Sequence, residues 1–241
     1  MDALVQTDRY GIDRQPSFVD LQDFAQVCES RVTARTDYLT SRTALYENGK
    51  PGLVGLIALE AASGTVACLD HDEFVLVLEG SLTLGDVTMA RGDAAVAAHG
   101  SQFDWASAAG TLAVFLRYPE STPSKNAITP IRKDPPYVPS NKPSPDVLIG
   151  PAPECRNFND YRVDDGRFVC GTWASTAYRR HGFAYGHYEI MHLAQGSVTL
   201  EDGGAEQTFA VGDTILAERG SHCAWDSRED VAKVFAIYRA G

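Results

Sequence analysis

The sequence predicts an all-β chain, two tandem copies of one antiparallel sandwich or barrel with little helix near the N-terminus. The first observation behind that expectation is a repeat. The stretch His71-Asp72-Glu73 to Leu84 matches His187-Tyr188-Glu189 to Leu200 at an offset of 116, with His, Glu, Gly, Ser, Thr and Leu coinciding. A second block, Gly92-Asp93, Gly100-Ser101, Trp105, Val114-Phe115 and Tyr118, falls at an offset of 120 on Gly212-Asp213, Gly220-Ser221, Trp225, Val234-Phe235 and Tyr238. The four extra residues fit in Glu201–Gln207, where Asp202-Gly203-Gly204 is a hairpin-turn signal. The second observation is period. Short apolar or alternating runs, with turn residues about every ten positions, favour a sandwich or barrel over βαβ units. The third is proline: ten of the twelve prolines lie between Pro119 and Pro153. A residue without a backbone donor cannot sit in a central strand or a helix interior, so this stretch reads as an extended connector.

The elements follow in chain order. Residues 1–44 form an N-terminal extension, in which Ser17 to Arg31 carries Phe18, Leu21, Phe24, Ala25 and Cys28 at helical spacing and is the best helix candidate. Residues 45–118 form the first barrel, 119–163 the connector and 164–241 the second barrel. Gly80 and Gly196 stand where the chain must turn sharply, a conformation glycine adopts without steric cost. Trp105 and Trp225 fill a barrel core or meet a ligand at its mouth.

Charge narrows the partners. The 241 residues carry a net charge of −11, a field that repels phosphate backbones and anionic lipid, so neither nucleic acid nor a membrane is expected. No window approaches the roughly 18 apolar residues of a membrane span. Met1 to Arg9 lacks a basic stretch followed by an apolar one, which argues against a signal peptide and for the cytoplasm. The five cysteines are odd in number and none form a Cys-x-x-Cys pair, so most of them read as small buried hydrophobes in a reducing compartment. The expected partners are a small-molecule ligand and, through an exposed sheet edge or apolar face, a second copy of the chain.

The run Asp72-Glu73-Phe74-Val75-Leu76-Val77-Leu78-Glu79-Gly80, followed by Gly92-Asp93, Gly100 and Trp105, resembles the cupin superfamily. Glu189, Gly196, Gly212-Asp213, Gly220, Trp225 and Lys233-Val234-Phe235 carry the same likeness in the second copy. Within that superfamily the sequence is similar to the group containing the (S)-ureidoglycine aminohydrolase domain. The resemblance covers about residues 45 to 118 and 164 to 239. It implies a bicupin of two conical, RmlC-like jelly-roll barrels, and hydrolysis of a small ureido or amino acid whose carboxylate is held by nearby arginines.

Metal-binding cupins carry His-x-His-x3or4-Glu in the first motif and a further His in the second. Here Glu73 and Glu189 stand where the Glu ligand belongs, but Leu69 and Ala67, or Tyr185 and Phe183, occupy the histidine positions. Phe103 and Cys223 fall at the second-motif position. The first copy therefore reads as metal-free. In the second, period two puts His187 and Glu189 on one face and His192 on the other. Two readings stay open for that copy. One is an improvised set of His181, His187, Glu189 and either Cys223 or His222 around Mn, Fe, Ni or Zn. The other is a polar, metal-free pocket in which Glu189 acts as general base and His187 as proton shuttle. His181, Phe183, Tyr185, Met191, Cys223 and Trp225 would line it. A non-catalytic, metabolite-binding or regulatory cupin is the rival from a different class.

Overall fold

The computed structural model describes residues 6–7, 13–45, 53–124 and 127–241. The reading of Met1 to Arg9 as lacking a leader falls largely outside them. The chain forms two compact units, one from residues 1–15 and 22–130, the other from 16–21 and 131–241.

Each unit pairs a large antiparallel sheet with a small one. In the first unit, a six-stranded sheet runs in the order Ile128–Pro130, Ala94–Ala97, Asp72–Glu79, Thr111–Tyr118, Val54–Leu59 and Arg42–Ala44. Its four-stranded companion runs Ala62–Val66, Phe103–Ser107, Ser81–Leu84 and Val87–Ala90. The inward side chains of both sheets share one core, with Ile57, Val75, Val77 and Phe115 from the larger and Leu82, Leu84, Phe103 and Trp105 from the smaller. Side chains alternate across a strand, so inward residues fall at every second position.

The second unit repeats the plan. Seven strands run Val138–Pro139, Cys155–Arg162, Phe168–Ser175, Val231–Tyr238, Tyr188–Gln195, Thr214–Ala217 and Phe18–Asp20. Four more run Tyr178–Arg180, Ala224–Ser227, Val198–Asp202 and Ala205–Phe209. Tyr188–Gln195 sits between Thr214–Ala217 and Val231–Tyr238, as Asp72–Glu79 sits between Ala94–Ala97 and Thr111–Tyr118. The change of offset lies in one hairpin, Val198–Asp202 with Ala205–Phe209 turning at Gly203-Gly204, the counterpart of Ser81–Leu84 with Val87–Ala90. Gly196 has φ +73°, and a Cβ there would run into the carbonyl oxygen of Asp230, so the turn admits glycine only.

Two expectations need correction. The segment 119–163 is more than a connector. Ile128–Pro130 adds an edge strand to the first unit, and Val138–Pro139 and Cys155–Arg162 add strands to the second. The short pieces carry proline only at sheet edges, where a missing donor costs nothing. Cys155–Arg162 contains no proline and pairs with Phe168–Ser175, so the division drawn at residue 164 cuts a hairpin. The helix expected over Ser17 to Arg31 is shorter, Leu21–Cys28 with a 3₁₀ turn at Glu29–Arg31. Phe18–Asp20 pairs instead with Thr214–Ala217, and the Phe18 ring meets Phe209 edge-on at 5.9 Å. Tertiary pairing overrides helical spacing there.

Among the described residues no helix is long and apolar enough to cross a membrane. All five cysteines are free thiols; Cys28, Cys155, Cys170 and Cys223 are buried and Cys68 is exposed.

Candidate functional site in the second barrel

The two repeated glutamates face inward and are both buried, yet each is neutralised differently. In the first barrel Glu73 is fully enclosed. Arg42 gives it two hydrogen bonds, Nη1 to Oε2 at 2.6 Å and Nη2 to Oε1 at 2.9 Å. Arg117 Nε adds a third at 2.8 Å, and the Tyr38 hydroxyl donates a fourth to Oε1 at 2.7 Å. Burial alone would raise the Glu73 pKa, but Arg42 first and then Arg117 pull it down to about 2. Arg42 and Tyr38 come from the N-terminal extension. Tyr38 belongs to the barrel's core, edge-on to Phe103 at 5.8 Å, and the Arg42 guanidinium lies over the Tyr38 and Phe115 rings. The interior beside Glu73 is thus filled by protein side chains. His71, two residues before it, is half-buried with Nδ1 unpartnered, and burial followed by Arg117 lowers its pKa.

In the second barrel Lys233 takes the cation's part. Its Nζ donates to Glu189 Oε1 at 2.9 Å and to Met191 Sδ at 3.0 Å. The ammonium lies 5.0 Å from the centre of the Trp173 ring and 5.3 Å from that of Trp225, so it is held between two indoles. His187 Nε2 stands 3.4 Å from the other carboxylate oxygen. Against a burial effect that would raise it, Lys233 and then His187 bring the Glu189 pKa down to about 2.

Beside this group opens a cavity of about 680 Å³. Glu189, His187, Lys233, Arg180 and Lys142 supply its charged and imidazole lining, and Trp173, Tyr178, Phe183 and Phe235 its aromatic walls. Asn141 to Ser144, from the proline-rich segment, also line it. Arg180 is buried and donates to the carbonyl oxygens of Cys223 and His181 at 2.7 and 3.3 Å and to the Tyr185 hydroxyl at 2.8 Å. Its guanidinium lies 4.3 Å from the centre of the Phe183 ring. Burial, only partly offset by Arg180, pushes the Tyr185 hydroxyl up to about 12, so it stays protonated.

Of the residues singled out from the sequence, the structure brings His187, Glu189 and Phe183 to the cavity wall. Tyr185, Met191 and Trp225 are buried behind that wall: Tyr185 stacks on Phe183 at 5.3 Å, and Trp225 stacks on Tyr178 at 5.8 Å. The remaining three are elsewhere. His181 is exposed and lines a different, smaller cavity; His222 is exposed, its backbone amide bonded to Asp202. Cys223 is buried with its thiol turned to the Asp202 carboxylate at 3.6 Å, and burial pushes that thiol up to about 12. His192 lies on the opposite face, its Nδ1 2.9 Å from Thr214 Oγ1.

The set His181, His187, Glu189 and His222 is therefore not assembled around one point. Among the described residues no group of three or more His, Cys, Asp or Glu is placed to hold a metal ion. An ammonium already stands against Glu189, and a second cation there would meet its charge. The residues do not fit a cupin metal centre.

Lys233, Arg180, Trp173, Tyr178 and Phe235 are among the lining residues not assigned to the pocket from the sequence. Lys233 had a signal: it is the charged member of an otherwise apolar strand, at the same parity as Phe235.

The comparisons agree with this architecture. Residues 163–235, most of the second barrel, match the EutQ-like cupin domain. A protein of unknown function from Pseudomonas syringae pv. tomato superposes with a TM-score of 0.76 at 23% identity, covering 92% of this chain and 100% of that one. A cupin 2 conserved barrel domain protein from Leptotrichia buccalis gives a TM-score of 0.54 at 8% identity over 92% of this chain and 96% of that one. A salicylate 1,2-dioxygenase variant from Pseudoaminobacter salicylatoxidans gives 0.56 at 11% identity, covering 93% and 83%. No curated protein matches the sequence. The fold is that of two tandem cupin-like barrels, and the EutQ-like match lies in the second of them.

Proposed function

We propose that the second barrel is a receptor for a small molecule and that the first serves the fold. The observation that carries this reading is the contrast at equivalent positions. Glu73 is sealed by Arg42, Arg117 and Tyr38, whereas Glu189 borders a cavity of about 680 Å³ with aromatic walls and a few converging polar groups. Apolar walls with sparse, directed polar atoms are the usual make-up of ligand sites, and the volume is that of a drug-sized molecule. A thermal-shift screen of small acids, amides and sugars tests it, because a ligand that binds only the folded form raises the melting temperature. His187→Ala should abolish the shift and His71→Ala should leave it. Equal losses in both variants would refute the division of labour.

The His187–Glu189 pair favours a second, catalytic reading. A carboxylate held at about 2 is too weak a base to act at neutral pH, but it can orient the imidazole. His187 would then take a proton from a water that attacks the nitrogen-bearing carbon of a small ureido or amino acid and return it to the departing nitrogen as that C–N bond breaks and ammonia leaves, with Glu189 balancing the transient imidazolium. Ammonia release from such acids, lost in His187→Gln with ligand binding retained, is the result this reading requires.

A further inference from the structure

Resting on the small-molecule reading, the charges around the cavity define the class of molecule. Most of them cancel. Lys233 is matched by Glu189, and Lys142, also on the lining, pairs with Glu154 at 2.6 Å. Arg180 is different. Its partners are the Cys223 and His181 carbonyls and the hydroxyls of Tyr185 and Tyr178, all uncharged. Among the described residues no carboxylate lies within ion-pair distance of this buried guanidinium. A buried cation whose charge is unanswered favours an anion brought from outside, because desolvated charge is costly until it is paired. Lys233 adds direction: an ammonium has three donors, and the contacts to Glu189 and Met191 use two.

We propose that the ligand is an organic anion, a carboxylate on a flat apolar body. Arg180 is its counter-ion, and the remaining N–H of Lys233 is a second contact. Trp173, Tyr178, Phe183 and Phe235 take the apolar part. The site thereby holds its acid with protein cations alone, in a chain whose net charge of −11 would otherwise repel one.

Isothermal titration of the full chain with phenylacetate, phenylacetamide and 2-phenylethylamine tests the proposal, since the three share a ring and differ in charge. Phenylacetate should bind about tenfold or more tightly than the amide, the worth of one charge-assisted hydrogen bond, and the amine should not bind. Arg180→Gln, checked for its fold by circular dichroism, should bring the acid and the amide to similar affinity. Should that variant not fold, the wild-type series decides alone. An amide that binds as well as the acid overturns the anion assignment and leaves the pocket reading standing. Silence towards all three, in a protein whose melting temperature responds to other small molecules, overturns the proposal alone. No response to any small molecule overturns both.

Discussion

Replacing Arg42 with methionine isolates what the cation does inside the first barrel. Methionine keeps an apolar chain against the Tyr38 and Phe115 rings, which the guanidinium covers at 4.7 and 4.8 Å, so the change is chiefly one of charge. Glu73 sits at about 2 rather than its ordinary 4.5, which is worth about 3 kcal/mol of stability at neutral pH. Arg42 makes two of the three cationic hydrogen bonds responsible. Its loss should cost about 3 kcal/mol, the low end for breaking a buried pair, because Arg117 and Tyr38 remain. For a unit of this size the melting temperature should fall by on the order of 10 °C. The pH dependence fixes the cause. A depressed carboxylate contributes stability that is complete above about 4.5 and disappears as pH falls through about 2. The penalty of Arg42→Met should therefore be full at neutral pH and shrink between those limits. Scanning calorimetry from pH 7 to 3 measures it. A penalty below about 1 kcal/mol at neutral pH, or one that does not change with pH, would show that Arg42 contributes shape and not charge.

In the second barrel, Lys233→Met leaves Glu189 buried beside His187 without its ammonium and should cost about 3 kcal/mol, while Lys233→Met with Glu189→Gln should recover most of that loss. Urea denaturation of the two variants and the single Glu189→Gln completes the cycle. The thiols should separate by rate under iodoacetamide at mildly alkaline pH, with exposed Cys68 modified first and Cys223 last, since burial pushes its thiol up to about 12. Intact-mass spectrometry counts the additions over time.

How much of this was legible depended on whether the cause was local. The repeat, the hairpin that absorbs four residues and the inward parity of His187 and Glu189 all follow from period-two alternation and turn chemistry, which act within a few residues. The metal set failed because His181 and His222 precede or follow turns, where alternation no longer says which way a side chain points. Arg42 and Tyr38 carried no local mark of their role, because contact with Glu73 is made across 31 and 35 residues of chain. Arg180 stands beside His181 in the sequence, but that it lacks a carboxylate is a fact of three dimensions. The proline-rich segment misled for the opposite reason. Its prolines have the local chemistry of a connector, and strand pairing, with Ala94–Ala97 on one side and in the hairpin with Phe168–Ser175 on the other, makes it part of a sheet in each unit.

The difference between the barrels comes down to where a cation stands on one strand. Arg117 and Ile237 are equivalent at the offset of 120, and so are Ala113 and Lys233. In the first copy the charge comes from Arg42, off the strand, and from Arg117 on it, and the matching inner position is alanine. In the second copy the charge has moved four residues along the same inward face to Lys233, and isoleucine takes the place it left. Four residues of strand is about 13 Å: Arg117 is level with Glu73, whereas Lys233 stands opposite Leu193 and reaches Glu189 along the strand. The end that Arg117 and Arg42 block in one barrel is lined in the other by Ile237 and Phe235, which face the cavity. A cation near Glu189 is kept in either arrangement, since a buried carboxylate without one would not stay ionised. Placing it at Lys233 leaves that requirement met while Phe235 and Ile237 line the cavity beside Glu189.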